Sequence, residues 1–85
     1  MDSAEITSMI INEIEKAFDL GYTLYYINVD DLDNGYGFLR VLARKESDFI
    51  IVYEGTFALD TSYRVLGLLE KSKYNIKDFT VKWND

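Results

Sequence analysis

The chain has 85 residues, 48% of them apolar and 15% aromatic, which suits one small domain (1–85) that folds on its own. It has no histidine and no cysteine, so Ser-His-Asp and Cys-His nucleophile systems, thiolate metal sites and disulfides are excluded within it. Fifteen carboxylates against nine cations give a formal net charge of −6, which repels nucleic-acid phosphates and anionic membrane surfaces.

The charge is unevenly spread. Through Asn34 there are eight carboxylates and one cation, Lys16, and from Gly35 onward acids and bases nearly balance. Ser3 to Leu20 reads as an amphipathic helix with Ile6, Met9, Ile10, Ile14, Ala17 and Phe18 on one stripe. Ser3 is the predicted N-cap, and Gly21 suits a left-handed residue beyond the C-terminus.

Tyr22 to Val29 is a β-branched and aromatic run that predicts a central strand. The turn Asp30-Asp31-Leu32-Asp33-Asn34-Gly35 follows, where Asn-Gly favours positive φ. Phe38 to Arg44 predicts a second strand, Lys45 to Asp48 a polar turn, and Phe49 to Glu54 a third strand. After a connector at Gly55 to Leu59, a second helix is predicted, capped by Asp60 or Thr61 and running to about Lys73. Gly67 in its middle suggests a close approach of helix to sheet. Phe79 to Trp83 alternates as a final strand, which Trp83 helps to anchor.

The predicted fold is α+β: a two-layer α/β sandwich of order α-β-β-β-α-β. A right-handed crossover between strands 3 and 4 gives a four-stranded mixed sheet, order 3-2-1-4, with both helices on one face. Ile6, Ile10, Ile14, Phe18, Val41, Ile51, Leu66 and Leu69 form the predicted core.

The candidate sites are chosen by charge. The acidic turn resembles a calcium loop, but Leu32 falls at a ligand position and Val41 at the place of the closing glutamate, so no metal is assigned. Asp30, Asp31 and Asp33, with Glu13 and Asp19 of the first helix, form a candidate negative field for a basic protein surface. Arg40 and Arg44 alternate with Phe38 and Leu42 on the second strand, a pattern met on RNA-binding sheets. The net charge and the element order oppose that reading and favour protein contact. No cofactor is implied, and the composition argues against an enzyme.

Function is therefore expected to be a non-catalytic acidic interaction module. It would bind and inhibit or regulate a basic protein, including one that itself holds nucleic acid, without touching nucleic acid or membrane directly. The alternative is a self-associating subunit, a homodimer built on the open sheet face or the edge of the third strand. With no leader pattern and no long apolar run, a cytoplasmic location is expected.

Overall fold

The computed structural model describes residues 2–72, which form α1 (Ser3–Asp19), β1 (Thr23–Asp31), β2 (Tyr36–Lys45), β3 (Asp48–Ala58) and α2 (Leu59–Glu70). The three strands make an antiparallel sheet in the order β1-β2-β3. Three strands are described where four were expected. The fourth, Phe79 to Trp83, lies outside the described residues, and with it the parallel pairing and the order 3-2-1-4.

Both helices pack on one face of the sheet. Ile6, Ile10 and Ile14 of α1 and Val65 and Leu69 of α2 join Leu24, Ile27 and Val29 of β1 and Leu39 and Val41 of β2 in one buried cluster. The core forms because the 3.6-residue stripe of each helix meets the period-2 face of each strand.

Local chemistry sets the element ends, with several departures from expectation. The N-cap of α1 is Asp2, not Ser3: its carboxylate accepts from the Glu5 backbone N–H at 2.9 Å and Glu5 reaches back, a capping box. A carboxylate is the stronger complement to the helix dipole, and Ser3 becomes the buried first helical residue. Gly21 takes φ 91°, as the sequence suggests. In the β1–β2 turn the left-handed residues are Asp33 (φ 63°) and Gly35 (φ 86°), flanking Asn34. Asn34 instead uses its side-chain oxygen to accept from the Tyr36 N–H, while Asp31 accepts from the Asp33 N–H.

α2 begins earlier than expected and without a side-chain cap; the Leu59 N–H instead donates to the Gly35 carbonyl at 2.9 Å, so a tertiary contact ties down its start. The close helix–sheet approach is at Gly37, not Gly67. A methyl at Gly37 would stand 3.0 Å from the Ser62 hydroxyl oxygen, whereas one at Gly67 would meet nothing within 4 Å. The buried Ser62 hydroxyl donates to the Ala58 carbonyl at 3.2 Å, and the Gly37 carbonyl lies 3.4 Å away.

One predicted core residue is out of place. Ile51 is 59% exposed, because it pairs with Leu42 on the sheet face opposite the helices. The register shifts between Val41 and Leu42, leaving Val52 as an extra residue, so the two halves of β3 have different parity. Phe18 and Leu66 are half-buried against the core, and the other predicted core positions are sealed.

Candidate interaction surfaces

Three surfaces carry the groups singled out by charge and apolarity. The first is the end of the molecule formed by the β1–β2 turn. Asp30, Asp31 and Asp33 are exposed there and internally braced: Asp30 accepts from the Asn28 side chain at 2.8 Å, and Asp31 from the Asp33 N–H at 2.9 Å. None of the three makes an ion pair among the described residues. α1 runs antiparallel to β3, since Met9 and Leu20 line grooves with Tyr53 and Ile50 respectively. That direction brings Asp2 and Glu5 toward the same end, where α2 also begins with Asp60 in its first turn. The amides at the two helix starts partly offset this negative charge.

Glu13 and Asp19 are not part of that end. Glu13 sits two turns further along α1 and pairs with Lys16 at 2.9 Å. Asp19 closes α1 at the opposite end of the sheet, near the β2–β3 turn, where the Lys45 ammonium donates to the Leu20 carbonyl at 3.0 Å. There the Tyr22 hydroxyl donates to the Asp48 carboxylate, and Lys45 stands 5.8 Å from the Tyr22 ring. The hydrogen bond to Asp48, with a lesser share from desolvation and charge repulsion, raises the Tyr22 phenol above its ordinary value of 10.0.

The second surface is the sheet face away from the helices. Arg40 and Arg44 lie here, alternating with Phe38 and Leu42 along β2, with Tyr26, Phe49 and Ile51 on the flanking strands. Both guanidiniums are engaged. Arg40 bonds the Glu54 carboxylate at 2.9 Å and lies 5.1 Å from the Phe38 ring; Arg44 lies 5.2 Å from the Tyr25 ring. Tyr25 in turn meets Phe49 edge to face at 5.2 Å. Tyr25 is the extra residue of the β1 bulge, and its ring meets both Arg44 and Phe49, side chains that share a cross-strand pair.

The third surface was not legible in the sequence. The flank of α1 carrying Met9, Asn12, Glu13 and Lys16 faces Val52 and Tyr53 of β3 across an open groove of about 510 Å³. A smaller hollow of about 170 Å³ continues it past Ala17 and Leu20 toward Ile50 and Ile51. The periodicity of α1 puts Met9 on its apolar stripe, yet Met9 is 37% exposed at the groove, and Leu20, just past the helix, is exposed as well.

Among the described residues there is no cluster of three or more carboxylates suited to a metal ion, and no helix long and apolar enough to cross a membrane. No family model matches the chain, and no curated protein or solved structure matches it significantly.

Proposed function

We propose that this chain is a non-catalytic interaction module that presents its acidic end to a basic protein surface and thereby blocks or regulates it. The observation that carries the reading is the β1–β2 turn. Three carboxylates are exposed there, two of them braced by hydrogen bonds, Asp30 from the Asn28 side chain and Asp31 from the Asp33 N–H, without a cation to neutralise them among the described residues. Preorganised, un-neutralised charge favours a partner of opposite sign by speeding encounter and by costing little ordering on contact. A basic surface that ordinarily holds nucleic acid fits this chemistry, because spaced carboxylates can occupy phosphate positions. Such a module works in the compartment of its target, and the cysteine-free composition suits the cytoplasm.

The test is affinity capture from the native host followed by measured association of the captured basic protein. Binding should weaken steeply with added salt. Reversing Asp30, Asp31 and Asp33 to lysine should remove it while leaving the melting temperature nearly unchanged, because the turn lies outside the core. If reversing Arg40 and Arg44 removes binding and the aspartate reversals do not, the acidic end is only solvated surface.

A second reading, self-association, is supported by the exposed Phe49 and Ile51 on the open sheet face. It predicts a concentration-dependent mass by sedimentation that collapses to monomer in Phe49→Glu and in the Arg40/Arg44 reversals. A monomer at all concentrations would sink it.

A further inference from the structure

The β1–β2 turn holds the parts of a reaction that needs no partner. Asn34 is followed by Gly35, and both are exposed to water. The Asn34 side-chain oxygen accepts from the Tyr36 N–H at 3.1 Å, which folds the side chain back along the backbone beside the Gly35 peptide. That bond also polarises the side-chain carbonyl. The Tyr36 N–H stands where negative charge would gather on the oxygen if its carbon were attacked. The attacking group is available as well. The Gly35 N–H makes no hydrogen bond among the described residues, whereas the Gly35 carbonyl accepts from Leu59 at 2.9 Å. A methyl on Gly35 would meet no atom within 4 Å, so the approach is open.

The other asparagines among the described residues lack this combination. Asn12 lies within α1, where the N–H of Glu13 is committed to the helix ladder. Asn28 is 7% exposed in β1, its side-chain amide donates to Asp30, and the β-branched Val29 follows it.

We propose that Asn34 is a site of spontaneous modification, at which the chain converts its own side-chain amide to a carboxylate through a cyclic imide with Gly35. The Gly35 nitrogen gives its proton to solvent base and bonds to the Asn34 Cγ. The Cγ–Nδ2 bond then breaks, the departing nitrogen takes a proton from water, and ammonia leaves. Water opens the resulting ring, and nothing is oxidised or reduced. Opening at the side-chain carbonyl gives aspartate. Opening at the backbone carbonyl gives isoaspartate, in which the main chain runs through the former side chain.

Either product adds a carboxylate to an end that already exposes Asp30, Asp31 and Asp33. Isoaspartate does more, because it puts an extra carbon into the backbone between Asp33 and Gly35. Both of those residues hold positive φ, and Gly35 carries the carbonyl on which the start of α2 rests. Lengthening the turn there displaces that carbonyl and releases the Leu59 N–H. The modification does not depend on whether the acidic end binds a basic protein.

The test ages the full chain in buffer at neutral and mildly alkaline pH, beside Asn34→Gln and Asn34→Asp. Intact mass should rise by the difference between a hydroxyl and an amino group, and fragmentation should place the first change at Asn34. The rate should grow in proportion to hydroxide, as removal of the Gly35 proton requires. It should be no slower in the folded chain than in the same chain unfolded in urea at matched pH, because the fold leaves both groups unhindered. Asn34→Gln, whose longer side chain must close a larger ring, should lose this first step. Among the separated products, the isoaspartyl form should exchange its Leu59 amide faster than the parent chain. Asn34→Asp should keep that amide protected, since aspartate preserves the turn and can still accept from Tyr36. Three results overturn the proposal. If the folded chain reacts more slowly than the unfolded one, the turn holds the nitrogen and the carbon apart. If the first change falls on another asparagine, or Asn34→Gln gains mass equally, the site is misplaced. If Leu59 exchanges alike in the isoaspartyl form and the parent, the link from the turn to α2 is wrong.

Discussion

The two sides of this sheet layer behave differently under the same pair of helices. On β1 and β2 the helix-facing residues Leu24, Ile27, Val29, Leu39, Val41 and Ala43 are all sealed, none more than 2% exposed. On β3 not one residue is buried, although its sequence is as apolar as that of its neighbours. Burial here is decided by the helices and not by the strand's own hydrophobicity: the apolar stripes of α1 and α2 together seal β1 and β2, whereas the side of α1 that borders β3 leaves an open groove over Val52 and Tyr53. A strand can therefore be hydrophobic, regular and still half-open, and such a strand is where further contacts are available.

The sharpest way to break the comparison is to truncate both sides. Ile14→Ala or Leu39→Ala should cost about 2–5 kcal/mol, the usual range for a core cavity, whereas Ile50→Ala, at a half-buried position on the helix-facing side of β3, should cost no more than about 1–2 kcal/mol. Denaturant unfolding measures both. Equal losses would mean that β3 is as well packed as its neighbours and that the contrast is wrong.

Glycine substitution refines it. Gly37→Ala forces a methyl against Ser62 and Leu59 at 3.0–3.1 Å, inside the sealed sector, and should cost about 1–3 kcal/mol. Gly55→Ala on β3 makes a closer approach, 2.8 Å, but to the ring of Phe57, which is half-exposed and can swing away. It should cost less than Gly37→Ala, and the reverse order would show that the Phe57 ring is held as firmly as the core. On the outer side of α2, Gly67→Ala meets no neighbour and should stabilise the protein by about 0.5–1 kcal/mol, through helix propensity and a more restricted unfolded chain. A loss of stability there would restore the tight helix–sheet contact suggested by the sequence.

The smallest effect concerns the far end of β3, where Asp48 accepts from Tyr22. The phenol is raised in the folded state, so its contribution is fully present below the unfolded value near 10 and is lost as pH rises through the folded value. Relative to Tyr22→Phe, the wild-type chain should therefore lose a little stability between about pH 10 and 12 and none between about pH 7 and 9. A difference that stays constant across both ranges would mean that the Tyr22–Asp48 contact does not persist in solution.

Much of the fold was legible in the residues themselves. The stripe Ile6-Ile10-Ile14, the alternation Leu39-Val41-Ala43, Gly21 after the helix and the carboxylate-rich turn each point to a local structure that needs no distant partner. So was the exposure of Asp30, Asp31 and Asp33, since three carboxylates within four residues resist burial. The candidate field was only partly legible. Charge can be counted along a chain, but Glu13 and Asp19 follow the helix away from the turn, and α1 runs for 17 residues.

What the sequence by itself determined is the kind and order of the five described elements, because helix and strand periods and turn residues act over a few residues at a time. What only the tertiary structure decided is the facing of β3, the cap-free start of α2 and the groove beside α1. The run Phe49-Ile50-Ile51-Val52-Tyr53 has no alternation to reveal which side faces the helices, and a bulge against β2 changes its parity midway. The start of α2 rests on the carbonyl of Gly35, 24 residues earlier in the chain. Such contacts exist only once distant segments have met, so no local pattern could record them.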